Sequence, residues 1–428
     1  MMTRNLPQWL AYLEQLHPST IDMGLQRVAE VAARLHVDRP APLVITVTGT
    51  NGKGSTCAAL EALLLACGRR VGCYSSPHLL QYNERVRIAG QMVADADLCQ
   101  AFAAVEQARA EISLTYFEFG TLAALWLFSQ AGLDVVVLEV GLGGRLDAVN
   151  VVDADLAILT SVGLDHQEYL GTTRESVAFE KAGILRPGIA VVCGETDLPS
   201  SFVARVDELG CRLLQRGVSC DWQALDGQGW QVRLCSLQAE SVSLSLPDVS
   251  LPRNNLLLAL QALHWLALLP SAEACAATLG ALRMPGRMDR RWLHRDGKSR
   301  QLCLDVGHNP HAAAYLAAQL AERPQSRCAV FGVLADKDLD GILDQLKGSF
   351  EHWYLAAPDC PRALPGAQLL TAVQQHGCAA TLAATLPQAL EQALASVDEK
   401  TEVLVFGSFF TVAECLQYLQ SSDWRMHD

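Results

Sequence analysis

Short runs of Val, Ile and Leu, separated by stretches of helical periodicity, constrain this chain more than any other feature. LVITVTG (43–49), VGCYSS (71–76), DVVVLEVGL (134–142), DLAILTSV (155–162) and IAVVCGE (189–195) are near-continuous apolar runs rather than alternating ones. A strand with no polar side must be buried on both faces, which predicts a parallel sheet rather than a sheet with one wet face. Helical patterns fall between the runs: KGSTCAALEALLLACG, stopped by Gly68, a segment near 95–111, and TLAALWLFSQAG. Strands alternating with helices predict a mainly parallel sheet covered on both faces.

Residues 211–250 break this rhythm. CRLLQRG, WQVRLCSL and SVSLSL alternate partially, which predicts a small antiparallel insert, with a helix following from about Asn255 to Leu269. RMPGRMDRRW (283–292) holds Pro, Gly and four Arg, and reads as a boundary. Beyond it QLCLDVG, RCAVFGV, HWYLAA and TEVLVFGS resume the strand-helix alternation. The expected fold is therefore α/β: residues 1–286 as a mainly parallel domain with the insert, and residues 287–428 as a smaller Rossmann-like α/β domain. A length of 428 residues also exceeds one typical core.

Composition narrows the function classes. The net charge is −13 and no Lys/Arg run occurs, which argues against nucleic acid and membrane surfaces as partners. The N-terminus lacks the apolar core of a signal peptide, and the longest apolar stretch, residues 256–269, is too short to span a bilayer. The 14 cysteines form no CxxC pair and no zinc-spaced cluster, as expected for thiols in a reducing cytoplasm.

The glycine-rich segment GTNGKGST joins the first apolar run to a helix. There, backbone amides and a helix N-terminus can cradle phosphate, and glycines let the backbone approach an anion closely. Lys53 would face the terminal phosphates, and Ser55 or Thr56 could offer a hydroxyl near a metal. The Walker pattern is matched imperfectly, with Val47 where it has Gly and Gly54 where it has Ser or Thr. A plain glycine turn is the competing reading, and the strand-loop-helix context favours the nucleotide.

In a parallel sheet ligand chemistry collects at the carboxyl ends of the strands. Ser76, Glu139 and His166 lie at or just after three such ends and should open on the same edge as Lys53. A hydroxyl, a carboxylate and an imidazole can hold a divalent ion, although Mg²⁺ prefers oxygen. Taken singly, such residues are more often a cap, a paired charge or a hydrogen-bonded loop histidine. Their shared place beside a phosphate loop reverses that weighting. Lys181, on a helical pattern, would by itself read as a surface lysine.

GTNGKGST, YSSPHL, NERVRI, LEVGLGGRLDA, TSVGLDH, EKAGI, MPGRM, DVGHNPHA and GVLADKD occur in order along nearly the whole chain. This series resembles the bacterial folylpolyglutamate synthase/dihydrofolate synthase family, relatives of the Mur peptide ligases. The resemblance implies an ATP-dependent amide-forming ligase that joins L-glutamate to dihydropteroate and to reduced folates through an acyl phosphate. It implies that Thr50, Asn51, Gly52, Lys53, Gly54 and Ser55 bind the triphosphate and that Ser76, Glu139 and His166 bind Mg²⁺, with two ions in all. It implies that Lys181 is carbamylated, that Asn255, with Asn254 as the alternative, meets the adenine side, and that Arg287 and Asp305 complete the ATP site with His308 near the phosphates. It further implies that Asp22, Met23 and Gly24, with Thr115 and the turn Leu146, Asp147, Ala148, hold the pterin moiety. An active site drawing on both domains would require closure before chemistry. Arg85 and Arg145 are candidates for substrate carboxylates on charge alone. A monomeric cytoplasmic enzyme is expected. The competing readings are a synthase lacking the dihydropteroate activity, a Mur-type ligase acting on a UDP-sugar peptide, and a nucleotide-binding regulator without turnover.

Overall fold

The computed structural model describes residues 4–19, 21–225, 229–236 and 241–427. It is a mixed α/β protein of two compact units, Met1–Leu282 and Arg283–Asp428. Among the described residues no helix is long and apolar enough to cross a membrane.

The first unit opens with helices α1 (Leu6–Leu16) and α2 (Gln26–Leu35). Its sheet contains β1 (Leu43–Thr48), β2 (Val71–Tyr74), β3 (Val86–Ile88), β4 (Gln91–Met92), β5 (Val135–Glu139), β6 (Leu156–Leu159), β7 (Ala190–Cys193) and β8 (Arg212–Gln215). These strands lie in the order β4-β3-β2-β5-β1-β6-β7-β8. From β2 through β5, β1, β6 and β7 to β8 neighbouring strands pair in parallel, and antiparallel pairing is confined to β2 with β3 and β3 with β4 at one edge. Every residue of β5, β6 and β7 is buried, as two-sided coverage demands. The covering helices include α3 (Lys53–Ala66), α4 (Asp95–Arg109), α5 (Tyr116–Gln130), α6 (Gln167–Leu170), α7 (Arg174–Ala182) and α8 (Ser200–Glu208). An aromatic group of Trp9, Tyr82, Phe102 and Phe119, with ring centroids 5.7–6.3 Å apart, packs α1 onto α4 and α5.

Two expectations need correction. The run after Cys211 is not part of the antiparallel insert: β8 extends the main sheet, parallel to β7. The antiparallel sheet is instead β9 (Asp221–Ala224), β10 (Trp230–Cys235) and β11 (Ser241–Leu246), in the order β11-β10-β9. Four residues of partial alternation fit an edge strand as well as a hairpin, so local pattern does not select the partner. The following helix, α9, spans Arg253–Trp265 and so begins before Asn255 and ends before Leu269. Pro252 sits at its N-cap, where a missing N–H costs nothing and the chain enters the first turn at once. The unit closes with α10 (Ala272–Ala281).

The second unit holds a seven-stranded sheet in the order β16-β15-β14-β17-β13-β12-β18. Its strands are β12 (Asp289–Arg295), β13 (Lys298–Asp305), β14 (Arg327–Phe331), β15 (His352–Leu355), β16 (Ala380–Leu382), β17 (Glu402–Phe406) and β18 (Arg425–His427). Strands β13 to β17 pair in parallel, whereas β12 and β18 are antiparallel additions not foreseen in the Arg-rich and C-terminal segments. Phe331 and Phe406, 4.7 Å apart, anchor the core with Trp353. The buried Arg327 donates to Glu402 at 2.9 Å and ties β14 to β17.

Candidate active site

The phosphate loop leaves the carboxyl end of β1 and is fastened to the end of β6. Thr50 N–H donates to the Ser161 carbonyl at 2.9 Å, and Asn51 N–H donates to Ser161 Oγ at 3.0 Å. Thr160 Oγ1 donates to the Asn51 carbonyl at 2.6 Å, and Thr50 Oγ1 donates to the Gly163 carbonyl at 2.9 Å. Thr160 and Ser161 were missed as site residues, although they begin the TSVGLDH motif that carries His166.

Gly49 and Gly52 are required by this path. Gly49 has φ +151°, and a Cβ there would fall 1.8 Å from Thr160 Oγ1. Gly52 has φ +90°, and a Cβ would fall 2.5 Å from Asn255 Oδ1. Asn255 Nδ2 also donates to Ser55 Oγ at 2.8 Å, so this side chain packs on the loop where α3 begins. Asn254 faces elsewhere, accepting from Trp222 Nε1 at 2.7 Å. Lys53 Nζ folds back onto the loop, donating to the Gly49 carbonyl at 2.9 Å and the Thr50 carbonyl at 3.3 Å.

Ser76 follows β2, Glu139 ends β5 and His166 follows β6; β5 and β6 flank β1, and β2 lies next to β5. Ser76 N–H donates to Glu139 Oε2 at 3.1 Å, which joins two of the three directly. Glu139 is buried at the last position of β5. His166 caps α6 in the left-handed region, at φ 50°. Among the described residues no group of three or more His, Cys, Asp and Glu converges. The donor set nevertheless suits Mg²⁺, which takes one or two carboxylates and completes its shell with water and substrate phosphate.

Lys181 lies in the last turn of α7, only 2% exposed. Its amine makes no hydrogen bond or ion pair among the described residues. Burial pulls its pKa down to about 7, and the positive charge of Lys53 adds to the shift, while Asp165 and Asp147 oppose it. Near neutral pH much of this lysine is therefore uncharged. Burial also raises the Asp147 carboxyl to about 6, against the amides of Leu142 and Val149, which it accepts at 2.8 and 3.0 Å.

The N-terminal candidates form a connected group. Asp22 pairs with Arg27 at 2.7 Å, and Arg27 pairs with Glu118 at 2.8 Å. Glu118 in turn accepts from Thr115 N–H at 2.7 Å in a capping box at the start of α5. Met23 reaches the Gly143 turn that leads to Leu146, Asp147 and Ala148, and Thr48 Oγ1 ties this turn to β1 at 2.6 Å. Gly24 has open space around it. Thr20, two positions before Asp22, lies outside the described residues. Arg27 and Glu118 were missed because their link spans 91 positions and leaves no local pattern. Of the two cations chosen on charge, Arg145 is already paired with Glu180 at 2.8 Å.

In the second unit Asp305 ends β13 and accepts from Met288 N–H at 2.9 Å and Gly307 N–H at 2.8 Å. Burial raises its pKa and the Arg287 guanidinium opposes the rise. Arg287 lies 4.9 Å over the Phe409 ring, and His308 packs on the same ring. His308 Nδ1–H donates to the Val306 carbonyl at 2.8 Å. Phe409, which no motif signalled, thus holds two of these residues together.

Residues 47–231 match the Mur ligase middle domain, and residues 286–409 match the Mur ligase glutamate ligase domain. The dihydrofolate synthase/folylpolyglutamate synthase of Escherichia coli K12 is 44% identical over 97% of this chain and 96% of its own length. This chain belongs to the dihydrofolate synthase/folylpolyglutamate synthase family. Solved relatives agree in fold. E. coli FolC in complex with DHPP and ADP has a TM-score of 0.91 at 44% identity, covering 98% of both chains. A bifunctional folylpolyglutamate synthase/dihydrofolate synthase with Mn, AMPPNP and L-glutamate bound has a TM-score of 0.88 at 45% identity, again over 98% of both chains.

Proposed function

We infer that this chain is an ATP-dependent ligase that joins L-glutamate to dihydropteroate, giving dihydrofolate, and to tetrahydrofolates, giving folylpolyglutamates. Membership of the family over nearly the full chain supports the reaction class. The structural observation that carries the reading is the buried amine of Lys181, without a hydrogen-bond or ion-pair partner among the described residues and within electrostatic reach of Lys53. Such an amine is a poor ion-pair partner and a good nucleophile toward CO₂.

The proposed roles combine the family resemblance with this geometry. Residues 50–55 cradle the triphosphate with their backbone amides, and Lys53 exchanges two loop carbonyls for phosphate oxygens. Lys181 adds CO₂ through its neutral amine and releases a proton, turning a buried base into a carboxylate. Ser76, Glu139, His166 and that carbamate would hold the divalent ions, which when bound would offset phosphate charge. The acceptor carboxylate attacks the γ-phosphorus and ADP leaves. The glutamate amine then attacks the acyl carbon, phosphate leaves and a proton is lost. Asp22, set by His17 and Arg27, faces the pterin with Met23, Gly24, Thr115 and the turn from Leu146 to Ala148. Arg287, Asp305 and His308 bind nucleotide, and Asn255 supports the phosphate loop rather than only the base. All 14 cysteines are free thiols, which supports a reducing cytoplasm.

The test supplies purified protein with ATP, Mg²⁺, L-glutamate and either dihydropteroate or tetrahydrofolate. Glutamate-dependent phosphate release is expected with both. Release with neither would refute the reading, and release with tetrahydrofolate alone would assign the monofunctional synthase.

A further inference from the structure

Among the described residues Arg85 is a buried cation without a counter-ion. It is 9% exposed, and among the described residues no carboxylate lies within 4.0 Å of its guanidinium. Its neighbours in the same segment are satisfied differently. Arg87 pairs with Glu61 at 2.8 Å, and Glu84 spends both oxygens on the amides of Leu79, Leu80 and Gln81, each at 2.7 Å. The Arg85 guanidinium lies instead over the Tyr82 ring at 5.4 Å and the Tyr116 ring at 5.8 Å. Glu14 and Asp147 act on the adjoining tyrosines from beyond ion-pair distance of Arg85.

Arg85 is held by two neutral side chains, His78 and the Tyr74 hydroxyl. Nε–H donates to His78 Nδ1 at 2.8 Å, so His78 accepts at Nδ1 and carries its proton on Nε2. The terminal nitrogens, held among aromatic rings, have the planar two-donor geometry that matches a carboxylate. A buried cation in this state calls for an anion from outside the chain. Position indicates which one. The Arg85 carbonyl accepts from Ser75 N–H at 2.9 Å, placing the residue beside Ser76 at the carboxyl edge of the sheet. Tyr116, the ring under the guanidinium, directly follows Thr115 of the pterin group. Arg85 therefore lies between the proposed metal residues and the proposed pterin site.

We propose that Arg85, with His78 Nε2–H beside it, binds the non-reacting α-carboxylate of the terminal glutamate on a folate acceptor. This rests on the ligase reading above. A guanidinium on the reacting carboxylate would withdraw charge from the nucleophile, so the other carboxylate is the better partner. Dihydropteroate has a single carboxylate, the reacting one, whereas a folate has a second. Arg85 is thus a specificity residue for chain extension rather than for the first ligation.

The experiment measures kcat/KM for tetrahydrofolate and for dihydropteroate with wild type, Arg85→Gln and Arg85→Lys, and for a tetrahydrofolate whose α-carboxylate is an amide. The ratio of tetrahydrofolate to dihydropteroate kcat/KM is expected to fall at least tenfold in Arg85→Gln, mainly through KM, and to be partly restored in Arg85→Lys. Wild type should discriminate against the α-amide to a similar extent, and Arg85→Gln should not. Equal losses on both acceptors, or no loss on either, would overturn the proposal. So would wild type that uses the α-amide as well as the acid, a result that needs no folded variant. Wild type inactive on both natural acceptors would instead refute the ligase reading itself.

Discussion

Replacing Lys181 by Met tests the charge state on which the proposed carbamate depends. Lys181 is 2% exposed, and its pKa drops from 10.5 to about 7 through burial and the charge of Lys53. A shift of this size corresponds to about 5 kcal/mol between the two protonation states. The sign follows from proton binding: between these values the unfolded chain binds the proton and the folded chain does not, so stability rises with pH. The penalty is full below pH 7, eases by about 1.4 kcal/mol per pH unit above it, and is gone beyond pH 10.5. Met matches the length of the stem and cannot charge, so Lys181→Met lacks this slope. In CO₂-free buffer without divalent metal, denaturant unfolding should show the variant more stable than wild type by several kcal/mol at pH 6. That advantage should shrink by about 2 kcal/mol between pH 7 and pH 9. Its ligase activity should be lost at every pH, and bicarbonate should not restore it. A stability difference independent of pH would refute the buried neutral amine, and a fully active variant would remove the carbamate from the mechanism.

Lys53→Ala removes two donations to loop carbonyls, at 2.9 and 3.3 Å, and is expected to change unfolding stability by no more than about 1 kcal/mol. Phosphate release should nevertheless fall by about two orders of magnitude or more if, as proposed, the ammonium acts on the nucleotide; a large loss of stability would mark the lysine as structural. Gly49→Ala should lose nucleotide binding and about 2–3 kcal/mol of stability, because its Cβ would lie 1.8 Å from Thr160 Oγ1 at φ +151°. Calorimetric titration with ATP and thermal unfolding read the two effects, and binding at wild-type affinity would contradict the fastening of the loop to β6.

Much of the architecture was legible because burial leaves its mark on every residue of a run. VVVLE and LAIL are apolar on both sides, so the parallel sheet and the edge on which Lys53, Ser76, Glu139 and His166 emerge could be read directly. The phosphate loop was legible for the same local reason, since its glycines answer to backbone angles and close approach within a few residues. The order of motifs pointed to the family.

What remained hidden depends on partners far along the chain. The four residues of β8 gave no sign whether they would join β7 or the antiparallel sheet, because a short half-buried run fits either edge. The Asp22–Arg27–Glu118–Thr115 link joins segments about 90 residues apart, and only folding makes it a unit. Lys181 read as a surface lysine by itself, yet tertiary packing removes its water and places Lys53 near enough to depress its pKa. Arg85 was a candidate on charge alone until the fold surrounded it with tyrosines and, among the described residues, left no carboxylate within ion-pair distance. Sequence by itself determined which segments are buried and which glycine-rich loop leaves room for an anion, because those are local demands on side-chain polarity and backbone freedom. Tertiary structure alone decided which charges stand paired, neutral or alone, because solvation and Coulomb energy depend on distances between residues remote in the chain.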